Sequence, residues 1–215
     1  MRNISSIYAQ YEIMPNLREH QLRVAAVAKV ICDNSHVPVD AKTVIEACLL
    51  HDMGNILKFD LERFPQFTEK LGLPYWQGVK EKFRSRYGDD EHKATDKIGK
   101  ELGVSHTTLS YIKSVGFIKA SVNADTVKFE PKICCYADQR VGPFGVLPLA
   151  ERLEEGRKRK NSPTIVDRSF IELNIASLGK IEQQLFGYSD ISPSDIDDLV
   201  VAPVVGELGD FIMRH

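Results

Sequence analysis

The stretch Leu49-Leu50-His51-Asp52-Met53-Gly54 closes an apolar run with an imidazole followed at once by a carboxylate. Together a ring nitrogen and a carboxylate oxygen suit a borderline divalent cation. A chain with six histidines holds about 0.4 His-Asp dipeptides by chance, so the pair means little unless other ligands can reach it. Three further candidates stand out. His20 lies in Leu17-Arg18-Glu19-His20-Gln21-Leu22, His92 in Asp90-Glu91-His92-Lys93-Ala94-Thr95, and Asp138 ends Ile133-Cys134-Cys135-Tyr136-Ala137-Asp138. Each sits among small or apolar neighbours, as where a helix faces a bundle interior, and bundles build metal sites from facing helices. An acid at the end of an apolar run is costly to bury unless it is paired or metal-bound.

The elements that must position these residues read as helices. Leu17 to Asp33 carries apolar residues at helical period, with Asn16 as the expected N-cap. Pro38 and Asp40 open a second helix that ends near His51-Asp52, where Gly54 supplies a stop. Residues 59–88 are punctuated by Pro65, Gly72, Pro74 and Gly78 and are expected to be partly helical. Asp89-Asp90 caps a helix that Gly103 ends, Ser105 starts the next, and Glu130-Pro131 begins the helix that leads to Asp138. Leu149 to Lys160 is charged and helical, and 167–185 and 194–213 read as two closing helices. Val122 to Phe129 is expected to form a short extended piece. The fold class is all-α.

At 215 residues one sizeable core is expected. A net charge of -2 exerts no global pull toward nucleic acid or anionic membrane. No apolar run approaches the roughly 20 residues that span a bilayer, and the N-terminus lacks the apolar core of a signal peptide. A cytoplasmic location is expected. Cys32, Cys48, Cys134 and Cys135 form no CxxC pair and read as buried, reduced thiols.

The order His, His-Asp, Asp in an all-α chain resembles the HD superfamily of metal-dependent phosphohydrolases. The flanking words match as well: Arg18-x-His20 opening one helix, Leu49 to Gly54 closing the next, and Tyr136-Ala137-Asp138-Gln139-Arg140 late in the domain. The resemblance implies that His20, His51, Asp52 and Asp138 hold a divalent metal ion (Mn, Fe, Co, Ni, Zn or Mg). It also implies a single helical bundle with the metal site in its interior. Residues 1–16 would be an N-terminal segment and 17–160 the HD-type domain, with 59–88 insertion-like. Residues 161–215 would pack as helices on the same domain. Some branches of the family carry a further histidine on the helix after the His-Asp pair, where His92 falls. They usually add another near the end of the following helix, where this chain has Ser114-Val115-Gly116-Phe117-Ile118. One tight metal is therefore expected, with His92 helping a weaker second ion, contacting a substrate phosphate, or lying exposed at a helix start.

Other residues carry smaller expectations. Lys58 could hold a phosphate oxygen and Asp60 could act as general acid or base, or both could be surface residues. Arg18 and Arg140 could orient a carboxylate, bind phosphate or form structural pairs. Lys80, Lys82, Arg84 and Arg86 read as a solvated face, and so do Arg157-Lys158-Arg159-Lys160 beside Glu154 and Glu155. Trp76 reads as packing. The chemistry that fits is hydrolysis of a phosphate ester in a nucleotide or other small phosphorylated metabolite. The competing readings are a nucleotide-sensing module without turnover and an RNA-associated hydrolase.

Overall fold

A two-residue strand, β1 (Arg2–Asn3), leads into α1 (Ile4–Gln10), capped by the Asn3 side chain. Ile4, Ile7 and Tyr8, spaced along one helical face, are buried. The Tyr8 hydroxyl donates to the Leu49 carbonyl at 2.6 Å. Next comes α2 (Pro15–Asp33), which begins one residue before the expected cap. Pro15 takes the first turn, where its fixed φ suits the helix, and Met14 rather than Asn16 stands at the cap. The Val24-Ala25-Ala26-Val27-Ala28 stretch is fully buried, and its small side chains let α2 sit centrally, against α3 (Ala41–Leu50), α8 (Phe129–Asp138) and α11 (Asp198–Leu208). The structure, a computed structural model, describes residues 2–159 and 167–213; Lys160 and His215 lie outside them.

Asp40 caps α3 by accepting the Thr43 N–H. The helix ends at Leu50, with His51 as its C-cap, and a turn of Asp52-Met53-Gly54 leads into a 3-10 turn at Asn55–Leu57. Gly54 does not stop the helix by a left-handed conformation, since its φ is −91°. Glycine is needed because α5 (Glu91–Leu102) crosses so closely: a Cβ here would strike the Glu91 carbonyl and stand 2.7 Å from the Ala94 Cβ. Residues 65–67 form a 3-10 turn, and α4 (Leu73–Tyr87) buries Trp76, Val79, Phe83 and Tyr87. Asp90 caps α5, and Gly103, at φ 76°, ends it in the left-handed conformation. α6 (His106–Ser114) starts from its Ser105 cap.

The expected extended piece at 122–129 is absent. Its first half is helical, within α7 (Ala120–Asp125), because Ala120, Asn123 and Ala124 recur at helical rather than alternating period and pack on α10 (Arg168–Phe186). The expected closing helix at 194–213 is divided. A 3-10 turn at Pro193–Asp195 precedes α11, which Asp197 caps by accepting two N–H groups, and β2 (Ile212–Met213) pairs antiparallel with β1. The charged helix α9 (Leu149–Arg159) joins α8 to the C-terminal part. Among the described residues the fold is all-α apart from this two-residue pairing and two isolated bridges, Ser35 with Ser189 and Val141 with Val146. Among the described residues no helix is long and apolar enough to cross a membrane.

Candidate metal centre

Three mutually packed helices bring four side chains to one point. His20 lies on the second turn of α2, His51 and Asp52 at and just beyond the end of α3, and Asp138 is the last residue of α8. His20 Nε2 stands 3.2 Å from Asp138 Oδ1 and 3.8 Å from Asp52 Oδ2. His51 Nε2 stands 3.5 Å from Asp138 Oδ1 and 3.7 Å from Asp52 Oδ2. Nitrogen and oxygen donors around one metal at about 2.1 Å are about 3 to 4 Å from each other; one atom each of His20, His51 and Asp52 lie within 4.8 Å of one another and match a shared cation, and Asp138 adds an oxygen 3.2 and 3.5 Å from the two rings. The side chain of His51 is nearly enclosed at 3% exposure, whereas Asp52 at 21% and His20 at 19% leave one side open to solvent.

Each ligand candidate is held from behind. His51 Nδ1–H donates to the Cys48 carbonyl at 2.8 Å, which leaves the Nε2 lone pair of the neutral ring pointing into the cluster. That Nε2 is buried and has no hydrogen-bond partner, the mark of an atom made for a ligand. The amides of Asn55 and Gln139 donate to Asp52 Oδ2 and Asp138 Oδ2, both at 2.6 Å. The Asp52 N–H donates to Gln21 Oε1 at 3.2 Å. Sequence reasoning passed over Gln21, Asn55 and Gln139. The available signal was an amide beside His20, an amide three residues after Asp52 and one immediately after Asp138.

The local electrostatics favour a positive charge here. Burial works against a charged His51, yet the adjacent carboxylates of Asp52 and Asp138 raise its pKa to about 9. Burial would also raise Asp138, but its hydrogen bond to His20 and the nearby His51 ring hold its carboxyl well below the usual range. The C-termini of α3 and α8 add their partial negative charge. Two carboxylates, two imidazoles and two helix C-termini thus fit a divalent cation.

Lys58, Asp60 and His92 are not part of this cluster. Lys58 Nζ and His92 Nε2 both approach Glu91 Oε1, at 3.6 and 3.7 Å, and the Glu91 backbone packs against Gly54. His92 is 73% exposed at the start of α5. Asp60 Oδ1 accepts the N–H groups of Glu62 and Arg63 and so shapes a loop turn. Neither arginine beside the presumed ligands meets a carboxylate there. Arg18 donates to the Ile13 carbonyl, and buried Arg140 donates to the Leu147 and Ile196 carbonyls and the Tyr136 hydroxyl. Lys80 donates to the Phe59 carbonyl, and Lys82, Arg84 and Arg86 pair with Glu12, Glu81 with Asp89, and Glu101. Trp76 is buried, edge-on to Tyr75.

Residues 17–113 match the family model described as HD domain, a stretch that holds His20, His51 and Asp52 and stops short of Asp138. No curated protein and no solved structure matches the chain.

Proposed function

Because the chain belongs to the HD domain superfamily, we propose that it is a metal-dependent phosphohydrolase acting on a nucleotide or another small phosphorylated metabolite in the cytosol. The observation that carries this reading is the convergence of His20, His51, Asp52 and Asp138 around the unpartnered Nε2 of His51. A divalent ion held by these four would acidify water and polarise a phosphoryl oxygen. The residues do the rest. Cys48 keeps His51 in the tautomer that can bind, and Asn55 and Gln139 keep both carboxylates aimed inward. The partial exposure of Asp52 and His20 leaves the side from which a phosphate could arrive.

Beyond the cluster, Lys58 offers positive charge and the His92 ring a hydrogen-bonding nitrogen for the remaining phosphate oxygens. Lys58 faces a depression of about 410 Å³ that Asp60, Gln77 and Lys80 also line. A nucleotide is favoured by an aromatic group on the two loops that follow the ligands. Phe59, Phe64 and Phe67 contact one another after Asp52, and Phe144, six residues after Asp138, meets Phe67 at 6.1 Å and is 75% exposed. Its loop is tied down, with Val141 bridged to Val146 and the Gly142 N–H bonded to the Gly145 carbonyl. An exposed ring on a tied loop is suited to stacking on a base.

Metal analysis joined to a phosphatase screen tests the reading. Wild type is expected to hold a divalent ion and to release phosphate. His51→Ala and Asp52→Ala are expected to lose both. A wild type that binds no metal and stays inactive when metal is added would overturn the proposal.

A further inference from the structure

Two buried amides beside Asp52 each use only one end. Gln21 is fully buried and Asn55 is 9% exposed. The Oε1 of Gln21 accepts the Asp52 N–H, and the Nδ2 of Asn55 donates to the Asp52 carboxylate. These partners settle the amide orientations, because an N–H requires the oxygen and a carboxylate requires the nitrogen. The unused ends are then a true donor, Gln21 Nε2, and a true acceptor, Asn55 Oδ1, and both are buried without a partner. A buried polar atom left unpaired is unfavourable for the fold, so neither amide is explained by stability alone. An apolar side chain of similar size would avoid the cost.

Asp52 needs outside support more than the other candidates. It lies beyond the last residue of α3, in a turn, so no helical backbone fixes its side chain. Gln21 grips it at the backbone from α2, next to His20, and Asn55 grips the carboxylate from the 3-10 turn. We infer that Gln21 and Asn55 are positioning residues for the metal centre. They hold Asp52 in its ligating pose across the junction of two elements and present their free donor and acceptor to polar atoms that enter with a bound cation. The inference rests on the metal-site reading above and extends it to two residues that bind no metal themselves.

The test measures Mn2+ affinity by titration calorimetry and the melting temperature in chelator, for wild type, Gln21→Met and Asn55→Leu. A positioning role predicts that each substitution weakens Mn2+ binding by about 10-fold or more. For Asn55→Leu, the melting temperature in chelator should stay at or above the wild-type value, because an unpaired acceptor has been removed and the partly exposed Asp52 can turn to water. Asn55→Ser, which keeps a donor, should recover part of the affinity. Unchanged Mn2+ affinity, or a loss that tracks a fall in the chelated melting temperature of Asn55→Leu, would overturn the inference. If Asn55→Leu does not fold, Asn55→Ala takes its place: weakened Mn2+ binding without a matching fall in the chelated melting temperature supports the positioning role, whereas unchanged affinity or parallel losses overturn it. Wild type that takes up neither Mn2+ nor any other divalent ion overturns the phosphohydrolase reading together with this one. Wild type that binds and hydrolyses while both variants match it overturns this one alone.

Discussion

The ring of His51 is fixed by the carbonyl of Cys48, one turn earlier in the same helix, at 2.8 Å. A helix end always leaves carbonyls without intrahelical partners, and here one of them sets the tautomer of a ligand candidate. The free Nε2 then faces two carboxylates. Metal binding should therefore stabilise the fold. At a free metal concentration 100-fold above Kd the gain is about 2.7 kcal/mol, visible as a rise in melting temperature that chelator reverses. Asp138→Asn should lose most of that rise.

The same geometry sets a pH dependence for the chelated protein. Burial disfavours the charged ring, but Asp52 and Asp138 raise the His51 pKa from its ordinary 6.5 to about 9. A raised pKa stabilises the folded state fully below the unfolded value and fades as pH climbs through the folded one. Thermal stability in chelator should accordingly fall between pH 6.5 and about 9. His51→Gln should flatten that decline, and an equally steep decline in the variant would assign it to another group.

Gly54→Ala should be disruptive although it adds one methyl group. The new Cβ would collide with the Glu91 carbonyl and lie 3.0 Å from the Thr95 N, both backbone atoms of α5. Overpacking of this kind costs about 1–3 kcal/mol. Because Gly54 is two residues from Asp52, metal affinity should fall together with the denaturation midpoint.

Arg140→Met should act on stability and not on the site. Arg140 is 1% exposed, and its guanidinium donates to two carbonyls and the Tyr136 hydroxyl. Leaving buried acceptors without their charged donor costs about 3 kcal/mol. Chemical denaturation should show that loss. Unchanged stability with weakened phosphate binding would instead mark Arg140 as a ligand residue.

Phe144→Ala should leave stability within about 0.5 kcal/mol, since the ring is largely exposed. Base stacking contributes about 1–3 kcal/mol. KM for nucleotides should therefore rise about 5-fold or more, while KM for a sugar phosphate stays constant. Equal effects on both substrates would remove the stacking role.

Much of this was legible without coordinates because it is local. The helical period of α2, α3 and α8, the caps at Asp40, Asp90 and Ser105, and the order of His and Asp along the chain are properties of short windows. The helix α1 carried its own signal in Asn3, Ile4, Ile7 and Tyr8, but seven residues are too few to be helical alone, and burial against the bundle decides the matter. Only the tertiary structure decided that the His20 and His51 rings come within 4 Å of the Asp52 and Asp138 carboxylates, because that depends on how three helices are rotated against one another. It also decided the partners of each long polar side chain. Arg18 and Arg140 clamp carbonyls, Lys58 and His92 converge on Glu91, and Gln21 and Asn55 close on Asp52. A side chain's type limits what it can bond, but which acceptor lies within 3 Å is set by backbone brought from elsewhere in the chain.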